Sequence, residues 1–352
     1  GVPGSVGFQV NSGRLTFATI KANPDATKSV DTTRAYTVIL AGVQGAGMVG
    51  LPEGIVIEAP HLDFQSNDST LSTPTTKVAL DWTTAVDLDA SATSFDADDV
   101  VVANRTIALT NLDAGLSIGG AIKLDILGYV LAAGEFSFRQ LFGVNGSDGA
   151  ITLANATGQR LSLSNMHFFV GVNGAFEEDA DGNVTGLDTS DAVGFGVSNA
   201  SLDLVIVKEG GTGTRSWMGI TASIGAMGVY GLPSDFAIEI LDLALRFNGK
   251  AADGTKLDWK ALSLLNGDPL GMGSSTLAEI TRATNISISG TLYLNVGGFV
   301  IALASFRIDQ QSGVSFNDRN GISLPLPTGN QTGATVLLLR ISEAYLFVGV
   351  GG

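Results

Sequence analysis

Cysteine is absent from all 352 residues. That excludes disulfide staples, thiolate metal sites and a thiol nucleophile. Charge is scarce as well: Asp, Glu, Lys and Arg make up 15% of the chain, against about 25% in an ordinary globular protein. The charges present are lopsided, with a formal net charge of −15. No cluster of Lys and Arg supplies the basic face that displaces counterions from nucleic acid, so a nucleic-acid partner is not expected. Histidine occurs only at His61 and His167. Neither has a second His nearby, and no G-x-S-x-G elbow signals a hydrolytic triad. No G-x-x-x-x-G-K-[ST] loop occurs; the closest glycine-rich stretch, Gly210–Ser216, leads into a strand pattern and reads as a turn. Runs of 18 or more uninterrupted apolar residues are missing, as is a basic-then-apolar leader at the start. Aromatic residues are sparse at 7%.

What is present is apolar and glycine-rich: 45% hydrophobic residues and 46 glycines. Val, Ile, Leu, Phe and Thr come in short runs broken by Gly, Asn, Asp and Ser, which predicts strands and turns. Three strand types recur. One alternates apolar and polar residues but slips phase at a small polar residue, as in "LSLSNMHFFVGV" and "GFGVSNASLDLVIV". A slip within a two-residue period marks a bulge or bend. A second type, "YTVILAGVQGAGMVG" and "ITASIGAMGVYG", is apolar throughout, which predicts coverage on both faces. The "GLP" at Gly50–Pro52 and at Gly231–Pro233 should end it. The third, "LYLNVGGFVIALASFRI", reads as a hairpin around Gly297 and Gly298. Helix is expected only as a turn or two at residues 259–265 and 274–283.

The chain also repeats itself. Val6–Lys21 matches Val193–Lys208, Ala46–Glu58 matches Met227–Glu239, and Leu80–Trp82 recurs as Leu257–Trp259. Gly120–Phe136 matches Gly290–Phe306, and Phe169–Val172 matches Phe347–Val350. The matches are collinear, and their spacing drifts only at Gly-, Asp-, Ser- and Thr-rich stretches. This predicts two copies of one unit, 1–174 and 175–352, each of about eight strands. The expected fold is all-β: two elongated, mostly antiparallel units, sandwich-like or flattened barrels, stacked end to end. A β-solenoid is the alternative. Start and finish share one phase of the repeat, which points to a segment of a longer array or a unit that stacks on itself. Phe168, Phe169, Val170, Phe347 and Val348 are then the expected inter-unit junction.

The phrases at Leu163–Phe168, Phe169–Gly174, Val49–Pro52, Gly231–Pro233 and Gly297–Phe306 resemble repeat units of very long bacterial surface or secreted proteins. The resemblance covers nearly the whole chain. It implies an extracellular or cell-surface protein with a structural or adhesive role, and it carries no catalytic residues.

Chemistry-bearing residues are few. Asp179, Asp181 and Asn183 stand at alternate positions, as oxygen ligands do at the start of a calcium loop. Val184 stands where the EF-hand form needs Gly, and Ser190 where it needs a bidentate Glu, so calcium remains a weak candidate beside a merely solvated acidic loop. Asp87, Asp89, Asp96, Asp98 and Asp99 form a second acidic cluster. Trp82 and Trp259 follow Leu-Asp in both copies, and packing is their expected role. The leading functional expectation is a structural segment of an extracellular fibre or giant surface protein, not an enzyme, whose partners are neighbouring copies of the same unit. The alternatives are an adhesin module binding glycan or a cell surface, and an outer-membrane β-barrel. The barrel fits the strand period but lacks girdles of Tyr and Trp.

Overall fold

The computed structural model describes residues 6–21, 34–70, 78–89, 95–180, 182–233, 235–265, 276–316 and 331–350. Its strands, in chain order, are β1 (Gly7–Lys21), β2 (Ala35–Val49), β3 (Ile55–Ser69), β4 (Val101–Val102), β5 (Arg105–Thr106), β6 (Gly115–Ile126), β7 (Val130–Ser147) and β8 (Thr152–Val172). There follow β9 (Ala175–Glu178), β10 (Val184–Asp188), β11 (Val193–Lys208), β12 (Ser216–Tyr230), β13 (Phe236–Gly249), β14 (Ser263–Leu264), β15 (Thr284–Val296), β16 (Val300–Phe316) and β17 (Gln331–Val348).

The protein is all-β. One antiparallel sheet runs β1-β2-β3-β6-β7-β8-β11-β12-β13-β15-β16-β17, with the short β14 paired to β7. The sheet is not closed. Among the described residues β1 and β17 are its edges, and the other two sheets, β4–β5 and β9–β10, are two-stranded ribbons too small to form a second layer. The sandwich or flattened-barrel form expected from sequence is therefore replaced by one open sheet, and antiparallel pairing throughout excludes a parallel solenoid. The chain exposes 20073 Å², where a compact monomer of this length exposes about 13,000 Å².

Local sequence explains the strands and their ends. The hairpin turns between β6 and β7 and between β15 and β16 each have two consecutive residues of positive φ: Leu127 (55°) with Gly128 (69°), and Gly297 (62°) with Gly298 (67°). That backbone matches the twist of the flanking strands. At the "GLP" sites, Gly50 (φ 75°) and Gly231 (φ 78°) turn the chain out of β2 and β12, as expected. The phase slips are bulges. Asn165, Asn199, Asp242 and Glu343 hold φ between 50° and 53° within β8, β11, β13 and β17, and pairing shifts register beside them. Neither helix candidate forms an α-helix. Residues 259–261 are a turn, 263–264 belong to β14, and 276–279 make a single 3-10 turn; 274–275 lie outside the described residues.

The two faces of the sheet differ. Paired residues share a face, so register assigns each side chain. One face carries Val38, Asn67, Leu141, Val205, Val207, Trp217 and Asn248 at one end of the strands. Excursions from the sheet cover this end. Trp82, Val86, Val100, Ile107 and Leu109, between β3 and β6, pack on Val38 and Leu40. Ala251, Leu257, Trp259, Leu277 and Ile280, between β13 and β15, pack on Trp217, Val205, Val207 and Leu141. At the other end, Phe176, Leu187 and Ala192, from the segment holding β9 and β10, pack on Leu131 and Phe169. The middle of this face is polar, with Arg160 and Ser162 on Asp203 (2.7 and 2.5 Å) and Ser201 on Ser223 (2.7 Å).

The opposite face is apolar across the sheet: Phe64, Ile118, Phe138, Leu161, Leu204, Ile220, Leu245, Ile288, Phe306 and Leu339 lie along it. No excursion covers it among the described residues. This overturns the expectation for 36–50 and 217–231. Burial in β2 and β12 alternates, because only one of their two faces is covered.

Each larger excursion is anchored by a buried Asn–Trp pair. Trp82 Nε1 donates to Asn67 Oδ1 at 3.0 Å, and Asn67 Nδ2 donates to the carbonyls of Leu80 and Thr110 at 2.9 Å. Trp259 Nε1 donates to Asn248 Oδ1 at 3.1 Å, and Asn248 Nδ2 donates to the carbonyls of Leu257 and Thr281 at 2.9 Å. One amide thus satisfies an indole and two carbonyls out of water, and the expected packing role of both tryptophans holds. Asn248→Ala strands all three groups and should lower stability by about 2–3 kcal/mol, read from the urea midpoint. An unchanged midpoint would show that Asn248 does not hold the excursion to the sheet.

Candidate functional site

Of the expected junction residues, Phe168, Phe169 and Val170 lie on β8. β8 pairs antiparallel with β11, with Phe168 opposite Val197, Phe169 opposite Gly196 and Val170 opposite Phe195. Phe169 is fully buried against Leu131 and Ala192, whereas Phe168 and Val170 project from the apolar face. Gly171 and Gly194 face one another so closely that a Cβ on either would stand 2.7 Å from the other's Cα. Phe347 and Val348 lie instead on the sheet edge, paired on one side only with Ile301 and Val300.

A second tie crosses the same boundary, and sequence reasoning missed it. Asp148, in the turn between β7 and β8, has a fully buried side chain. Its Oδ2 accepts from Arg282 NH2 at 2.7 Å and from the Asp258 N–H at 2.8 Å; its Oδ1 accepts from the N–H groups of Ala150 and Ile151. Burial alone would raise its pKa, but the N–H of Asp258, the N–H of Ile151, the Arg282 guanidinium and the N–H of Ala150 outweigh burial and lower it to about 2. The core beside it mixes Leu141, Val144, Ile151 and Leu153 with Trp217, Leu257 and Trp259. "NGSDGA" looks like any polar turn in sequence; only the fold shows that its Asp reaches across 134 residues to Arg282.

The calcium candidates are only partly described. Asp179 accepts from the Asn183 N–H at 2.9 Å and from Asn183 Nδ2 at 3.0 Å, so Asn183 turns its donor group toward the carboxylate. Asp181 lies outside the described residues. In the second acidic cluster Asp87 and Asp98 accept backbone N–H groups of Asp89, Asp96 and Leu88. Among the described residues no three acidic or His side chains converge as a metal site. His61 and His167 sit apart in β3 and β8. His167 is buried, its Nδ1 has no hydrogen-bond partner, and burial lowers its pKa against the opposing charge of Glu177.

A broad, open cavity of about 1010 Å³ beside β13, β15 and β16 is lined by Lys250, Lys256, Arg215 and Arg282. Three of these cations have structural partners. Lys256 donates to the Thr284 carbonyl (2.8 Å), to Asn285 Oδ1 and to Ser312 Oγ (3.3 Å); Arg215 pairs with Glu209 and Arg282 with Asp148.

The geometry defines a class: an open, single-layer antiparallel sheet whose most developed contacts join its own strands. Compared with protein-family models, with curated proteins and with solved structures, the chain matches none of the three.

Asp148 gives the boundary a pH signature. Its folded pKa lies below the ordinary 3.8, so its ionised form stabilises the fold above about pH 4, and that contribution is lost as pH falls toward 2. Asp148→Asn should cost about 2–3 kcal/mol at pH 7, with the gap to wild type narrowing between pH 4 and 2. A gap constant with pH would show that the carboxylate charge is not what holds Arg282 and the turn.

Proposed function

We propose that the chain is a structural repeat segment of an elongated extracellular or cell-surface protein, whose six-strand units join side by side into one continuous sheet. The observation that carries this reading is the β8–β11 pairing, which continues the sheet without a break across the boundary between 1–174 and 175–352. The strands on either side run in matching order, β1-β2-β3-β6-β7-β8 and β11-β12-β13-β15-β16-β17, with an Asn–Trp anchor in each half. Units add edge to edge, rather than end to end as the sequence suggested. The extracellular setting rests on the resemblance in sequence alone. Joining a second copy of 1–352 through the natural junction phrase should lengthen the particle by about 4.8 Å per added strand, roughly 30 Å per six-strand unit. Small-angle scattering measures this; a maximum dimension that stays constant as units are added would sink the reading.

A second reading is favoured by the bare apolar face. A wall with hydrocarbon on one face and water on the other has this pattern, so the sheet is alternatively part of an outer-membrane barrel. Ile288→Lys on the apolar face should then abolish flotation with phospholipid vesicles, while Ser289→Lys on the polar face leaves it intact. Wild-type protein that never floats with vesicles rules this reading out.

A further inference from the structure

We infer that the β17 edge of one molecule pairs with the β1 edge of another, in the register that β8 and β11 already use inside the chain. The inference rests on the side-by-side reading above and adds to it a docking surface and its partner, a second copy of this chain.

The sheet's edges among the described residues are two strands paired on one side only, and they are not arbitrary ones. β17 repeats β8: "LRISEAYLFVGV" at Leu339–Val350 stands against "LSLSNMHFFVGV" at Leu161–Val172. β1 repeats β11: "VGFQVNSGRLTFATIK" stands against "VGFGVSNASLDLVIVK". The backbone of β17 already has the shape of β8, because Glu343 (φ 51°) bulges where Asn165 (φ 50°) does. Glutamate gains nothing locally from that conformation, which favours glycine and asparagine. What β17 lacks is the cover β8 enjoys, part of which comes from the β9–β10 segment and part from the strand beside it. Phe169 is 0% exposed and its counterpart Phe347 39%; His167 is 2% exposed and its counterpart Tyr345 67%. On β1, Leu15 is 70% exposed, while its counterpart Leu202 is half-buried.

The internal register, carried over, sets Gly7 opposite Gly349, Val10 opposite Leu346 and Leu15 opposite Ile341. The glycines supply a steric check. Gly171 and Gly194 meet backbone to backbone, leaving no room for a Cβ on either. A Cβ on Gly7 meets nothing within 4 Å, and one on Gly349 meets only the Phe347 ring. The close approach that only glycine permits is thus prepared on both edges and unused within one molecule. Because the paired edges are unlike, the contact is heterologous, and each molecule that joins leaves one β1 edge and one β17 edge free, so growth proceeds head to tail.

The test is mass against concentration by light scattering on residues 1–352. Wild type should grow beyond a dimer as concentration rises. Gly7→Val, whose new side chain has free space in the monomer, should keep wild-type folding by circular dichroism and remain monomeric. Phe347→Asp should do the same, while Phe95→Asp, at an exposed site off both edges, should assemble as wild type does. The register is read separately. Val10→Cys and Leu346→Cys, in a chain with no other cysteine, should form intermolecular disulfides on oxidation, whereas Val10→Cys with Tyr345→Cys should not. A wild-type chain that stays monomeric, assembly indifferent to Gly7→Val, or cross-linking indifferent to register would each overturn the inference. A monomeric chain whose concatenated form still lengthens per unit would overturn this inference alone and leave the side-by-side reading standing.

Discussion

Everything in this structure depends on the requirement that backbone N–H and C=O groups be paired on both sides of a strand. A strand inside a sheet meets that requirement; a strand at an edge does not. β8 is the last long strand of the first half of the chain, and it meets the requirement by pairing with β11, the first long strand of the second half. That one choice of neighbour merges the halves into a single sheet, puts Gly171 against Gly194, and brings the β7–β8 turn within reach of Arg282. It also leaves the cores small and local, because a single layer can bury side chains only where the chain doubles back over it.

The doubling back is selective. Excursions cover the two ends of one face, each larger one held by an Asn–Trp pair, and leave the middle of that face to Ser, Thr, Arg and Asp side chains that satisfy one another. The other face carries leucine, isoleucine, valine and phenylalanine with nothing over it among the described residues. Charge is scarce in the composition for this reason: a strand with one wholly apolar face has only alternate positions left for polar residues, and the covered ends take some of those.

Much of the fold was legible in sequence. The turn at Gly297 and Gly298, the strand ends at Gly50 and Gly231, the bulges near Asn165 and Asn199 and the buried Trp82 and Trp259 all follow from local rules that act over a few residues. What sequence did not reveal is non-local. An apolar strand such as Trp217–Gly231 looks the same whether it is covered on both faces or one, since composition records which residues avoid water and not what shields them. Periodicity also does not tell whether two units stack end to end or share a sheet, because that depends on which backbone pairs with β8. Asn67, Asn248 and Asp148 were passed over for a related reason: each is an ordinary polar residue near a strand end or turn until the fold shows what it touches. Of the candidate site residues, Phe168, Phe169 and Val170 lie on β8 beside β11, Phe347 and Val348 lie on the edge strand β17, and the Asp179–Asn183 turn holds itself together by its own hydrogen bonds.

The strand direction has a mechanical consequence. Strands lie across the long direction of the sheet, so the ladder hydrogen bonds point along it. A load applied between β1 and β17 pulls neighbouring strands directly apart and meets the ladders one at a time, instead of shearing many bonds together. Each strand peeled away releases some 12 to 21 residues of folded chain, while the Asn–Trp anchors and the Asp148–Arg282 tie act as discrete catches along the way. A sheet built in this manner opens in small steps, strand by strand, and not in one concerted rupture.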